Sequence, residues 1–157
     1  MSMNPRLIIA ALSLSASGLV GLASYEGYRG EAYVPVPGDV PTIGFGTTQD
    51  VQPGETTDPV RALIRLDEHV DRAQRDMRAC IGDVALYQHE WDAYVSLAYN
   101  IGTGAFCGST LVRKLKSGDY AGACAEIKRW VYFQGRVLPG LVNRREAEYR
   151  MCMGDAE

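Results

Sequence analysis

Metal-ligand spacing is missing from this chain. The four cysteines, Cys80, Cys107, Cys124 and Cys152, include no pair set two residues apart, and the two histidines, His69 and His89, stand away from each other and from every cysteine. No zinc site is expected, nor any other metal or cofactor. Surplus positive charge is missing too. The chain carries 16 Lys and Arg against 19 Asp and Glu, so the electrostatic footprint of a nucleic-acid binder is absent. Arg113-Lys114 and Arg144-Arg145 are basic only in pairs and read as solvated helix faces. Internal repeats and low-complexity tracts are also missing. What remains, at 157 residues, suits one domain of one or two lobes with an ordinary core.

What is present begins with a short positive leader, Met1 to Arg6, and an uncharged run from Leu7 to Ser24. A spanning helix needs about 20 largely apolar residues. This run meets that length only marginally, because Ser13, Ser15, Ser17, Gly18, Gly21 and Ser24 dilute it. On a helix, Ser13, Ser17, Gly21 and Ser24 would form one small, weakly polar stripe. Three readings compete. The run is a cleaved signal peptide, a permanent anchor, or an anchor inserted by the secretion machinery that later slips out and packs on the soluble part. We favour the third, because cleavage after Ala23 would leave Glu26 near a free end with no helix before it. All three place the amino end inside and the rest outside. The division expected is 1–24 as the export segment and 25–157 as the folded domain.

Downstream, Ala32 to Val36 and Thr42 to Gly46 flank Pro37-Gly38-Asp39 and read as a hairpin or small sheet. Thr57 or Asp58 caps a helix with Pro59 at its first position. Val60, Leu63, Ile64, Val70, Ala73, Met77 and Cys80 then recur at helical spacing, predicting a long amphipathic connector. Gln88 to Ile101 is a second helix with a Gly102 end signal. Ser109 caps a short helix to Lys116, and Asp119 opens another that carries Ile127, Trp130 and Val131 inward. Pro139-Gly140 breaks the chain before a final helix, Leu141 to Met151. The fold class is α+β and mostly helical, a small β lobe joined by a long helix to a helical lobe. A cleft between lobes is where extended polymers bind. The cysteines behind an export segment read as two disulfides, with three pairings open.

The acids flanking the hairpin are Glu26 and Asp39. Glycoside hydrolysis needs a protonated carboxylic acid at the leaving oxygen and usually a second carboxylate for water or the sugar. An acid where an apolar helix meets a hairpin is partly desolvated, which favours its protonated form. Taken alone, Asp39 is a turn residue, Thr42 a strand residue and Glu31 a solvated charge.

Three ordered motifs go further. Glu26-Gly27-Tyr28-Arg29, with Ala32-Tyr33 and Thr42-Ile43-Gly44-Phe45-Gly46, closely resembles the catalytic segment of the phage-type lysozymes, glycoside hydrolase family 24. Asn100-Ile101-Gly102 followed by Phe106-Cys107-Gly108-Ser109-Thr110-Leu111 resembles that family's helix end and Phe-x-x-Ser-Thr-Leu segment. Gly140-Leu141-Val142-Asn143-Arg144-Arg145-Glu146-Ala147-Glu148 is similar to its Gly-Leu-x-x-Arg-Arg-x-x-Glu helix. With the leader, the whole chain resembles the signal-anchor-release endolysins.

The resemblance implies a lysozyme-like fold and a muramidase cleaving the β-1,4 bond between N-acetylmuramic acid and N-acetylglucosamine. It would act as a monomer on peptidoglycan strands, held first in the host inner membrane and later free in the periplasm. Glu26 would be the general acid and Thr42 the cleft threonine, while Asn100 and Phe106 would meet substrate. It also implies the pairings Cys124–Cys152 and Cys80–Cys107. One departure stands out. The family spaces Glu, eight residues, Asp or Cys, five residues, Thr. Here Pro35 occupies the acid's place and Thr42 lies one residue further out, so Asp39 is the substitute acid. That gap motivates a rival reading, a catalytically inactive peptidoglycan-binding or lysis-accessory membrane protein.

Overall fold

A computed structural model describes residues 5–155. Along the chain come β1 (Leu7–Ile8), a 3-10 turn (Ile9–Ala11), α1 (Ala16–Glu26), β2 (Arg29–Tyr33), β3 (Thr42–Gly44) and α2 (Pro59–Ile81). Then follow β4 (Ala85–Leu86), α3 (Gln88–Ile101), α4 (Thr103–Cys107), α5 (Thr110–Lys116) and α6 (Tyr120–Glu126). A 3-10 turn (Ile127–Arg129), β5 (Tyr132–Phe133), β6 (Arg136–Val137) and α7 (Pro139–Met153) complete the order. The class is α+β and mostly helical, as expected. Two compact units emerge, residues 16–72 and residues 1–15 with 73–157, and α2 runs unbroken through both.

The expected leader helix is not what forms. Leu7 and Ile8 pair antiparallel with Leu86 and Ala85, Ile9 and Leu12 are buried, and α1 starts only at Ala16. A Ser- and Gly-rich run has weak helical preference, and tertiary partners override it. No described helix is long and apolar enough to cross a membrane. One of the two compact units starts at Ala16, within the uncharged run.

Within the unit of residues 16–72, β2 starts at Arg29, ahead of the expected Ala32, and β3 starts at Thr42 as expected but ends at Gly44. β2 pairs with β3 through Arg29↔Gly44 and Tyr33↔Thr42, with a register shift between. Glu31 bridges Thr56, which gives the loop a partial third strand. Asp58 Oδ1 accepts from the Arg61 amide at 3.0 Å, capping α2 as predicted. The buried stripe of α2 here is Ala62, Leu66 and Val70, whereas Val60 and Ile64 are exposed. The inward stripe thus starts at Ala62, and the bulkier Val60 and Ile64 face outward.

The helical unit packs α3 against α7 and α5 against α6. Ser109 Oγ accepts from the Val112 amide and Asp119 Oδ1 from the Gly122 amide, so both predicted caps form. Pro139 does not break the chain; it starts α7, where its missing N–H costs nothing. The segment after α6 leaves the helix and turns into an exposed hairpin, Tyr132↔Val137. Cys80–Cys107 and Cys124–Cys152 are joined, with Cα separations of 5.6 and 5.7 Å.

Two of the motifs meet in one buried charge cluster. Glu148 Oε1 accepts from Ser96 Oγ at 2.7 Å and Arg144 Nε at 3.0 Å, and Oε2 from Arg145 Nη1 at 2.6 Å. Arg145 Nε also donates to the Trp130 carbonyl, and Nη2 to Asn100 Oδ1. The Arg-Arg-x-x-Glu spacing puts three charges within one turn of a helix, and the Asn-x-Gly end of α3 supplies a further acceptor. Removing one partner of such a pair strands the others in low dielectric. Glu148→Ala should lower unfolding free energy by about 3–5 kcal/mol, read by urea denaturation; a loss under about 1 kcal/mol, the range of a surface ion pair, would contradict the cluster's role.

Candidate active site

The site is assembled within residues 16–72. α1 buries Leu22 and Ala23 and leaves Glu26, its last residue, half-buried at the exit. Gly27 follows at φ +71°, a conformation that costs glycine little, with its N–H on the Ala23 carbonyl at 3.1 Å. The chain then enters β2 with Tyr28 tilted on Phe45, ring centroids 5.4 Å apart, and the Tyr28 hydroxyl donating to the Thr57 carbonyl.

The Thr42-to-Gly46 motif has a physical reading. Ile43 and Thr47 exchange backbone hydrogen bonds, each 2.9 Å, closing a tight loop over residues 44–46. Gly44 has φ +64°, and a Cβ there would lie 2.8 Å from Ala62 Cβ, so the strand sits directly on α2. Gly46 has φ +78°, and a Cβ there would come within 3.3 Å of Glu26 Oε2. The loop backbone therefore abuts the carboxylate at the end of α1. Gly46 carries a role that motif matching left unassigned; its signal was the glycine two residues after another glycine in a strand-to-loop step.

Thr42 is buried on β3, and its hydroxyl donates to the Val40 carbonyl at 3.3 Å. Asp39 is exposed in the turn, and its Oδ1 accepts from the Val40 amide at 2.8 Å. One peptide residue, Val40, thus ties the two together. The surrounding loop is held by Arg65, whose guanidinium donates to Glu55 Oε1 and the Gln49 carbonyl, each at 2.9 Å. The Gln52 amide foremost holds the Glu55 carboxyl below the usual range, against the opposing effect of burial and with added help from Arg65.

Asn100 and Phe106 belong to the other unit. Asn100 is exposed and accepts from Arg145. Phe106 is wholly enclosed, tilted on Tyr94 at 6.2 Å, so its ring has no face open to a sugar. Among the described residues no group of His, Cys, Asp or Glu is arranged to hold a metal ion.

A helix-end acid against a glycine loop, in an α+β mostly helical chain, fits a glycoside hydrolase of lysozyme type. A phage lysozyme family profile matches residues 23–148. The chain belongs to the phage lysozyme family. It is 32% identical over 165 residues to a SAR-endolysin of Bacteriophage PS119, covering 98% of each. It superposes on an endolysin from Escherichia coli O157:H7 phage FAHEc1 with TM-score 0.82 and 29% identity, covering 93% of this chain and 96% of that one. The active form of the P1 phage endolysin Lyz gives TM-score 0.80 at 22% identity, covering 93% and 88%. The secreted inactive form gives 0.56 at 19%, covering 91% and 97%.

Gly46→Ala must push a methyl toward Glu26 and hold alanine at positive φ. We expect roughly 1–2 kcal/mol of lost stability and a disproportionate fall in murein hydrolysis, on the order of a hundredfold, measured by dye release from labelled murein. Unchanged hydrolysis would separate the loop from the acid.

Proposed function

We propose that Glu26 is the general acid of a muramidase that cleaves the β-1,4 bond between N-acetylmuramic acid and N-acetylglucosamine. Placement of its carboxylate against Gly46, at the point where α1 gives way to the hairpin, is the observation that carries this reading. The acid protonates the glycosidic oxygen while Thr42 and Asp39 orient a water for attack. Their shared hold on Val40 supports pairing them, since one turn conformation sets both side chains. Asp39 supplies the carboxylate that Pro35 does not.

The same reading extends to location. Residues 1–24 act as an export segment that the secretion machinery inserts in the host inner membrane, and the chain later works as a free monomer in the periplasm. Three observations favour this. The run from Leu7 to Ser24 is uncharged but diluted by serine and glycine. The PS119 relative carries a SAR-endolysin name. The backbone follows the active form of the P1 protein more closely than its secreted inactive form.

Glu26→Gln should cut murein hydrolysis by at least about a hundredfold while circular dichroism stays unchanged; wild-type turnover would end the proposal. Asp39→Asn separates the two water-holding roles. A loss on the order of a hundredfold places the carboxylate at the water, and a wild-type rate leaves that task to Thr42 and the turn backbone. Failure of the native chain to clear chloroform-treated Gram-negative cells would favour the rival, inactive partner suggested by Pro35.

A further inference from the structure

The loop that joins β2 to β3 reads Val34-Pro35-Val36-Pro37-Gly38-Asp39-Val40-Pro41. Apart from Asp39, none of its side chains has a part in the chemistry above. Surface loops are ordinarily polar. Here Val34, Val36 and Val40, all within one short loop, stand 50%, 57% and 53% exposed. Single exposed valines need no explanation, but a cluster does. The loop is held against collapse. Pro35, Pro37 and Pro41 each fix φ. The Asp39 amide donates to the Val36 carbonyl at 3.0 Å across Pro37 and Gly38, and Gly38 has φ +86°, as a type II turn requires. Val40 is tied on both sides. Its amide donates to Asp39 Oδ1 at 2.8 Å, and its carbonyl accepts from Thr42 Oγ1 at 3.3 Å. The result is a stiff apolar rim around a single carboxylate.

We propose that this rim, centred on Val40 with Val36 across the turn, is a subsite for the lactyl ether of N-acetylmuramic acid and sets the preference for murein over chitin. The inference rests on the muramidase reading above. Murein and chitin share a β-1,4 chain of N-acetylhexosamines. They differ in the lactyl group on O3 of every second sugar of murein, a branch that carries a methyl. Sugar hydroxyls call for polar side chains. A methyl is what exposed valines can take out of water with gain.

Connectivity brings Val40 to the substrate. A ligand held between Asp39 and Thr42 meets the one residue bonded to both. Stiffness adds to the effect, because a rim fixed before binding loses little freedom on binding. A bilayer surface fits less well. The loop's only charge is negative, whereas segments that lie on membranes present Lys and Arg. Val36 and Val40 are thus specificity-determining residues, distinct from the groups that move a proton or orient water.

The test compares the full-length protein with Val40→Thr and Val36→Thr, which keep shape and β-branching and change only apolarity. Values of kcat and KM are measured on soluble peptide-bearing murein fragments, and chitohexaose is titrated into the same assay as a competing ligand. In V40T we expect KM for murein to rise roughly tenfold, with kcat within about twofold of wild type and the chitohexaose inhibition constant unchanged. V36T moves the same way by a smaller factor. An unchanged KM in V40T overturns the proposal. An equal rise in KM and in the inhibition constant also overturns it, because the rim would then be a general sugar contact. So does co-sedimentation with phosphatidylglycerol vesicles, or self-association in sedimentation velocity, that the wild type shows and V40T loses. A wild-type chain that leaves murein intact ends the muramidase reading and the subsite together. A wild-type chain that cleaves murein, beside a V40T variant with the same KM, ends the subsite alone.

Discussion

The proposed chemistry rests on one constraint, a carboxylate held at the end of a helix against a glycine loop. Glu26 has no choice of position along α1, because Gly27 ends the helix in a left-handed conformation immediately after it. Across from it, the Ile43–Thr47 exchange of hydrogen bonds fixes the loop whose Gly46 backbone meets the carboxylate. Gly44 then locks that loop to α2 by bringing backbone where a Cβ would strike Ala62. Each of these devices is local and geometric.

The helical unit answers a different problem, how to bury charge. Glu148 takes donors from Ser96, Arg144 and Arg145, and Arg145 reaches on to Trp130 and Asn100. The cluster satisfies its members across α3, α7 and the turn after α6, so that elements distant in sequence share one set of hydrogen bonds. Such networks specify arrangement more than they add stability.

Much of this was legible in the chain. Pattern and caps placed α2, α3 and α5 because their signals are local: Asp58 before Pro59, Gly102 after Ile101, Ser109 three residues before Val112. The family resemblance implied both disulfides. What stayed hidden depends on contacts between distant residues. Nothing near Ser13 or Ser15 says that Gln88 and Asp92 will take their backbone, so an apolar run reads as helix when half of it is strand and extended chain. Val60 and Ile64 fit the period as well as Ala62 and Leu66 do, and only the packing shows which set is buried. The bond between Asn100 and Arg145 spans 45 residues and leaves no local mark in the sequence. Pro139 looked like a break because a proline that ends one segment and a proline that starts the next are identical in sequence.

The leader's division at Ser15 has a topological consequence. Residues 16–72 leave the helical unit at one point and return to it at another, through α2, so the unit bearing the acid is an insertion whose two ends are both anchored. Closing a segment at both ends removes much of its chain freedom once, whatever its length, because the entropy of closure grows only with the logarithm of the loop. A chain cut short of residue 16 would keep every residue of that unit and lose one of its two attachments along the chain.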